Sequence, residues 1–281
     1  MARNLRSRTR RARAEMNEHE MIDLRQLAES LARGAGALAL AGRRAAAHPS
    51  RLGGTTKSTT TDMVTEFDRA AEAYIVDRLR NLRPDDAIIG EEGTADEGTS
   101  GYSWHLDPID GTTNFIYDQP AWSTSVAVAY HDEMIAGAVF VPPLDEMFSA
   151  ALGGGATLNA SPIAASTETD LALALVGTGF NYQAGIRAEQ ADRVARLIPD
   201  VRDIRRLGSA AIDLCFVAVG RLDVYFEEHL NLWDAAAGEL IAREAGAIST
   251  DFSGGPPRPA QLLVAASGLH LAFVDLLKNT K

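Results

Sequence analysis

Hydrophobic residues follow two periodicities along the chain, and their order predicts alternating helices and strands. Apolar positions recur at helical spacing over residues 21–47 and again over residues 65–79. The Gly- and Thr-rich stretch between them, residues 51–62, predicts a mobile loop. Short apolar runs at residues 87–90 and 102–106 predict strands, and acidic residues follow each of them.

The rest of the chain mixes an antiparallel region with alternating elements. Residues 122–152 predict a meander of strands with turns at residues 131–132 and 142–143. Further strands are predicted at residues 171–180, 221–227, 247–250 and 261–267, and further helices at residues 187–198, 210–220, 232–246 and 269–277. This irregular order favours an α/β (α+β) fold of stacked sheet and helix layers over a regular barrel.

The first residues differ in composition from the rest of the chain. Six arginines and almost no apolar residues fall between residues 3 and 13, so we expect residues 1–18 to form a disordered Arg-rich tail. A transit peptide or a nucleic-acid-binding arm is the alternative interpretation. No linker divides the remainder, so residues 19–281 are expected to form a single domain. No run approaches the roughly 20 apolar residues of a membrane span.

Charge and cysteine usage narrow the function classes. The net charge of −11 and the sequence pI near 5.0 argue against nucleic acid as the main partner. Cys215 is the only cysteine, which excludes an intrachain disulfide and a Cys-rich zinc site. The apolar sequence around Cys215 favours a core position over a role as a nucleophile. A chain with a single cysteine is typical of the reducing cytoplasm.

Acidic residues stand at four places where an apolar segment begins or ends. They are Glu91 with Glu92, Asp107 with Asp110, Glu227 with Glu228, and Asp234 at a helix start. Each place alone is typical of a solvated turn or a helix cap. Together, converging carboxylates stay ionised only when cations lie among them. Oxygen ligands select hard cations such as Mg²⁺, and two such ions can hold both reacting oxygens of a phosphate ester.

Two helix starts add to this picture. Thr65 and Asp68 have the spacing of a capping box. If a helix begins at residues 111–113, its free N–H groups and dipole can bind a phosphate, and the Thr112 hydroxyl can orient a water. A GxxxxGK[ST] phosphate loop and a Gly-x-Ser-x-Gly elbow are both absent from the sequence. Metal ions are therefore the natural candidates to neutralise a phosphate.

Several of these segments resemble the signatures of the inositol monophosphatase family. They are "GEEG" (90–93), "LDPIDGTTNF" (106–115), "LWDAAAGELIAREAGA" (232–247) and, for a mobile loop, "KSTTTDMVTEFD" (57–68). The resemblance runs from about residue 24 to the C-terminus and is greatest to the bacterial SuhB-like branch. It implies a metal-dependent phosphomonoesterase with a five-layer αβαβα sandwich, sensitivity to Li⁺ and a homodimer.

The resemblance also implies a set of metal ligands for two or three Mg²⁺ ions. Glu91, Asp107 and the backbone carbonyl of Ile109 would hold the first ion. Asp107, Asp110 and Asp234 would hold the second. Water would then attack the phosphorus directly, without a phosphoenzyme.

Further roles follow from the same resemblance. Thr112, backed by Asp68, would orient the attacking water, and Lys57 would lie near the metal-bound water. Glu92 would be a carboxylate close to the site. The amides of Gly111 and Thr112 would bind phosphate oxygens.

Substrate recognition is the part that the resemblance defines least. Asp110, Ala210, Glu227 and Asp234 would face the hydroxyls of a small phosphorylated polyol, with myo-inositol monophosphate favoured. Fructose 1,6-bisphosphate, histidinol phosphate and 3′-phosphoadenosine 5′-phosphate are alternatives, because relatives with the same metal ligands cleave them. Many family members carry glycine at the position of His229, which we expect to face solvent.

A function of another class also fits the resemblance. SuhB-like proteins can act as partners of the transcription machinery independently of catalysis, and the Arg-rich tail keeps such a contact with protein or nucleic acid open.

Overall fold

The structure is a computed structural model that describes residues 17–46, 54–56 and 63–279. Lys57 and residues 1–16 of the predicted tail therefore lie outside the described residues. The loop prediction for residues 51–62 is wrong at its centre, because β1 (Gly54–Thr56) pairs antiparallel with β2 (Met63–Thr65). The backbone hydrogen bonds of that hairpin are not visible in a Gly/Thr composition.

Two helices precede the first large sheet. Helix α1 (Glu18–Ala45) begins at Asn17, whose side chain accepts a hydrogen bond from the Glu20 amide at 2.7 Å. Helix α2 (Glu66–Leu82) begins with the predicted capping box, in which the Thr65 amide donates to Asp68 at 2.7 Å. Both helices follow the 3.6-residue apolar pattern that predicted them.

The large sheet contains eight strands in the order β10-β9-β8-β7-β6-β5-β3-β4. They are β3 (Ala87–Gly90), β4 (Ala95–Asp96), β5 (Tyr102–Asp110), β6 (Ser123–Tyr130), β7 (Glu133–Val141), β8 (Glu146–Ala151), β9 (Ala156–Leu158) and β10 (Ser161–Pro162). Helix α3 (Thr112–Ile116) follows β5. The predicted meander is confirmed as β6, β7 and β8. The sequence pattern missed β4, β9 and β10, which span only two or three residues each.

The small sheet contains five strands in the order β12-β11-β13-β15-β14. They are β11 (Leu175–Thr178), β12 (Asp203–Arg205), β13 (Val224–Glu228), β14 (Ile248–Thr250) and β15 (Gln261–Ala265). The accompanying helices are α4 (Ala184–Leu197), α5 (Ala210–Ala218), α6 (Leu232–Glu244) and α7 (His270–Asn279). The strand predicted at residues 171–180 is shorter than expected, since Leu171–Leu173 forms a 3₁₀ turn.

The elements stack in the αβαβα order that was predicted. Helices α1 and α2 cover the outer face of the large sheet, and α5 and α6 fill the space between the two sheets. The outer face of the small sheet packs against Leu197 of α4 and against Phe273, Val274 and Leu277 of α7. Within the described residues no helix is long and apolar enough to cross a membrane.

Candidate active site

A cleft of about 450 Å³ opens where β3, β5 and β13 end and where α5 and α6 begin. Seven of its lining residues are acidic, namely Glu91, Asp107, Asp110, Asp213, Glu227, Glu228 and Asp234. Arg206 is the one arginine or lysine that lines it within the described residues. The cleft therefore carries a strongly negative charge whenever its carboxyl groups are ionised.

Strand β5 brings Asp107 and Asp110 to the cleft. The strand continues four residues beyond the predicted end at residue 106, and its register against β6 shifts between the two aspartates. Such a bulge turns side chains that strict alternation would place on opposite faces. The bulge explains how two carboxylates three residues apart line the same cavity.

Asp107 is almost fully buried, with 1% of its surface exposed. Its pKa lies well above the ordinary value, first because of burial and then because of the nearby Glu91, Asp110 and Asp234 carboxylates. Asp107 also lies within hydrogen-bonding distance of the Glu91 side chain. Its Oδ1 atom is buried without a hydrogen-bond partner in the described part of the chain.

Asp110 is held against the start of α5. Its Oδ2 atom accepts hydrogen bonds from the Ser209 hydroxyl at 2.6 Å and from the Ala211 amide at 2.7 Å. Burial raises its pKa to about 6, although these donors act in the opposite direction. The contact connects the large sheet to a helix 99 residues further along the chain.

Backbone contacts position Asp234 and Glu91, the other two predicted metal ligands with carboxylate side chains. Asp234 lies in the first turn of α6 and accepts from the Asn231 amide at 2.6 Å. The Glu91 amide donates to the Leu106 carbonyl at 3.1 Å, which holds the end of β3 against β5. Glu72 of α2, which the sequence did not single out, holds the following turn through the Glu92 and Thr94 amides at 2.8 and 3.2 Å.

The chemistry of these donors fits a hard cation. Carboxylate and carbonyl oxygens meet at the end of β5, and the unpartnered Oδ1 of Asp107 lies among three other carboxylates. No three His, Cys, Asp or Glu side chains of residues 17–46, 54–56 and 63–279 form a closed metal cage as they stand.

A helix begins directly after Gly111, as the predicted phosphate-binding role of residues 111–113 required. Gly111 adopts φ 91°, and a Cβ there would lie 2.9 Å from the Ala121 carbonyl oxygen, so glycine suits this position. The Thr112 hydroxyl lies 3.2 Å from Asp68 Oδ1 and 3.1 Å from the Ile109 carbonyl oxygen. These acceptors fix the orientation of the hydroxyl.

The small sheet supplies the opposite wall of the cleft. Tyr225 donates to Glu227 at 2.5 Å, and burial raises the pKa of Glu227 to about 7. A Cβ on Gly179 would overlap the Glu227 carboxylate, so the neighbouring strand end passes closely over it. Ala210 also lines this wall, at the start of α5.

Two charged residues of the cleft, Asp213 and Arg206, were missed by sequence reasoning. Asp213 is buried within α5, and its Oδ1 has no hydrogen-bond partner in the described part of the chain. Burial followed by the Glu227 and Asp110 charges raises its pKa, while Arg206 opposes the rise. A single acid inside the apolar run "AAIDLCFVA" was the available signal for Asp213; no comparable pattern marks Arg206.

The other candidates have different positions. Glu92 neighbours the cleft without being one of its lining residues, and Asp68 reaches it through Thr112. His229 is exposed, as expected, and lies at the cleft with φ 66°, a conformation that favours glycine. Cys215 is fully buried in α5, which confirms its core position.

Comparisons with known proteins agree with this architecture. A family model described as "Inositol monophosphatase family" matches residues 20–279. The chain is 44% identical over 279 residues to an inositol-1-monophosphatase of Mycobacterium leprae, covering 93% of this chain and 96% of that protein. It is 44% identical over 196 residues to the Nus factor SuhB of Escherichia coli, covering 69% and 73% of the two chains.

Solved structures share the same fold. The crystal structure of the extragenic suppressor protein SuhB from Bartonella henselae superposes with a TM-score of 0.85 at 31% identity. The match covers 91% of this chain and 98% of that one.

Proposed function

The chain belongs to the inositol monophosphatase family and is a phosphomonoesterase, and from this premise we propose that it hydrolyses myo-inositol monophosphate with the help of Mg²⁺. The single observation that carries the proposal is the cluster at the end of β5. There, Asp107 is buried with an unpartnered oxygen among the Glu91, Asp110 and Asp234 carboxylates.

In this proposal the carboxylates hold the metal ions. Glu91, Asp107 and the Ile109 carbonyl hold one Mg²⁺, and Asp107, Asp110 and Asp234 hold another, with a third ion possible in the same cluster. When bound, the ions neutralise the phosphate, lower the pKa of water and stabilise the leaving oxygen. The hydrogen bonds of Asp110 to α5 and of Asp234 to Asn231 restrict both carboxylates before any ion binds.

Thr112 orients the attacking water. Its hydroxyl donates to Asp68 or to the Ile109 carbonyl, so its lone pairs remain to accept a hydrogen bond from water. The amides of Gly111 and Thr112 are then available to phosphate oxygens. Glu92 supports the cluster from its neighbouring position, and Lys57, which lies outside the described residues, is proposed to approach the attacking water.

The small-sheet wall, together with Asp110 of β5 and Asp234 of α6, recognises the alcohol part of the substrate. Glu227, Asp110, Asp234 and the backbone of Ala210 are proposed to bind the ring hydroxyls. A carboxylate can accept two hydrogen bonds from adjacent hydroxyls, which suits a polyol.

A panel of phosphate esters tests this function. We expect Mg²⁺-dependent release of inorganic phosphate from myo-inositol 1-phosphate, with inhibition by Li⁺. Fructose 1,6-bisphosphate, histidinol phosphate and 3′-phosphoadenosine 5′-phosphate should be poorer substrates. A preference for one of these would overturn the substrate assignment alone, whereas no Mg²⁺-dependent release from any ester would overturn the proposed reaction.

Several properties accompany the proposal. We propose that residues 19–281 act as one catalytic unit, because the cleft takes residues from both sheets. A homodimer and a cytoplasmic location are proposed with it, in line with the resemblance and the single buried cysteine. Sedimentation equilibrium would test the dimer.

A second candidate function is an association with the transcription machinery. It is favoured by the 44% identity to a protein named Nus factor SuhB. An Asp107→Asn variant separates the two functions in cells. Loss of phosphatase activity with an unchanged phenotype would favour the association, and loss of both would favour catalysis.

A further inference from the structure

A second cavity, of about 430 Å³, lies between β5, β7, α6 and residues 257–259. The two cavities share secondary structure. His105 lines the second cavity and Asp107, two residues further along β5, lines the cleft. On α6, Leu232 and Ala235 line the second cavity, while Asp234 lines the cleft.

The charge of the second cavity differs from that of the cleft. Its charged lining residues are Asp132, Glu133, Glu239, Arg243 and Arg258, which is three acids against two bases. Much of the remaining wall is apolar, including Ile89, Met134, Leu232, Pro257, Pro259 and Leu262. A nearly neutral, largely apolar cavity favours an uncharged ligand over a phosphate ester.

Three polar atoms in this wall have no hydrogen-bond partner in the described part of the chain. They are His105 Nδ1, Glu239 Oε1 and Arg243 Nε. His105 has only 6% of its surface exposed, so solvent does not compensate for the missing partner. A buried polar atom without a partner costs free energy, which a ligand that engages it recovers.

The contacts around Arg243 leave room for such a ligand. Its guanidinium lies 3.7 Å from Glu133 and 3.8 Å from Glu239, both longer than a hydrogen bond. Both contacts are ion pairs, and rotation of Arg243 or Glu239 toward the cavity breaks no hydrogen bond between these two side chains. Glu239 then presents an acceptor next to the Arg243 donor.

We propose that this cavity is a second ligand site that binds an uncharged heterocycle of nucleobase size with a hydrogen-bond donor next to an acceptor. Glu239 accepts from the donor of the ligand, and Arg243 donates to its acceptor. The apolar wall covers the faces of the ring. The proposal stands independently of the phosphatase function, because it uses none of the proposed metal ligands.

Methyl NMR of the methionines tests the site. Met134 lines the cavity, whereas Met21 and Met147 are buried in the core. Adenine is the probe, because its amino N–H and the adjacent ring acceptor point in nearly the same direction. Benzimidazole is the control, since it has a similar ring system but its ring N–H and ring acceptor point in diverging directions. We expect adenine to shift the Met134 methyl signal saturably and to bind at least tenfold more tightly than benzimidazole. Unchanged Met134 signals, or equal affinities, would overturn the proposal.

A pair of matched variants sharpens the test. Arg243→Met removes the donor and keeps an apolar stem. The control, Arg33→Met, makes the same change on α1, where Arg33 forms an exposed ion pair with Asp145. We expect the first variant to weaken adenine binding at least tenfold and the second to leave it unchanged. Equal binding by both variants would contradict the role of Arg243. If Arg243→Met does not fold, the comparison of adenine with benzimidazole on the unmodified chain still decides.

Discussion

The large sheet and the small sheet contribute to the cleft in different ways. From the large sheet, Asp107, Ile109, Asp110, Gly111 and Thr112 all come from one strand and the turn after it. From the small-sheet side, residues come from separate segments, with Gly179, Arg206, Asp213 and Glu227 spread over about 50 residues. In our account the first wall carries the phosphate chemistry, and the second recognises the alcohol with help from Asp110 of the first wall.

This difference has a structural cause. Metal and phosphate contacts need groups held in fixed relative positions. A bulged strand followed by a helix start provides most of them with few degrees of freedom, and Glu91 after β3 and Asp234 of α6 add the remaining carboxylates. Recognition needs only complementary hydrogen bonds, which loops and strand ends from distant segments can supply. Substitutions in the first wall should therefore affect every substrate, and those in the second should affect substrates selectively.

Asp107→Asn should give the largest effect. We expect phosphatase activity to fall by about a thousandfold or more, because several kcal/mol of charge stabilisation are lost and each 1.4 kcal/mol is a factor of ten. The same variant should be more stable than the unmodified chain in EDTA, since it removes a buried acid among like charges. Activity assays and thermal unfolding measure both effects.

The control for this variant is Asp275→Asn, an exposed aspartate on α7 paired with Lys278. It should alter neither activity nor stability by more than a small amount. An active Asp107→Asn enzyme would show that the large-sheet wall does not carry the chemistry.

Thr112→Val should lower kcat by about 10- to 100-fold, the usual range for groups that orient a reacting partner. The substitution keeps the shape of the side chain and removes the hydroxyl that contacts Asp68 and Ile109. Thr112→Ser retains the hydroxyl and should keep most of the activity. If Ser and Val variants were equally impaired, packing rather than the hydroxyl would explain the loss.

Glu227→Gln should show selectivity instead of a general loss. We expect kcat/KM for myo-inositol 1-phosphate to fall about tenfold, the equivalent of one hydrogen bond to a charged group. Activity on p-nitrophenyl phosphate, which has no ring hydroxyls, should change less than twofold. Equal losses on both substrates would remove the distinction between the two walls.

The pH dependence of stability should give the smallest effect. Asp110 and Glu227 have pKa values raised by burial to about 6 and about 7, above those of the unfolded chain. Below the pKa values of the unfolded chain, both groups are protonated in either state and neither opposes folding. As the pH rises through the pKa values of the folded state, each group has to become charged while it is buried, which destabilises the fold. Tm in EDTA should therefore fall as the pH rises from about 5 to about 8.

Saturating Mg²⁺ should reduce this slope, because bound cations favour the charged form of the carboxylates. Differential scanning calorimetry with and without the metal measures both slopes. A Tm in EDTA that rises over this range would contradict the burial of uncompensated acids.

The sequence predicted the first wall far better than the second. The acidic pair, the glycine and the threonine of "DPIDGTT" are contiguous, and their local conformation follows from their types, as Gly111 at φ 91° shows. The aspartate spacing did not predict the bulge of β5, which arises from pairing with β6. The metal, phosphate and substrate roles of these residues remain predictions.

The second wall depends on tertiary contacts that a linear pattern does not contain. Asp213 lies within a run that predicts only a buried helix, and its place in the cleft follows from how α5 packs between the sheets. Glu72 supports the turn after β3 from 20 residues away. Strands β9, β10 and β12 are too short to produce an apolar pattern, and neighbouring strands determine them.

Isothermal titration of Mg²⁺ into the metal-free protein examines the proposed metal site without any substrate. We predict saturable binding to the unmodified chain at pH 7.5, and loss of that binding in a folded Asp107→Asn variant, while Asp275→Asn binds normally. Equal Mg²⁺ binding by the Asp107→Asn variant and the unmodified chain would contradict the assignment of the β5 carboxylates as the metal site.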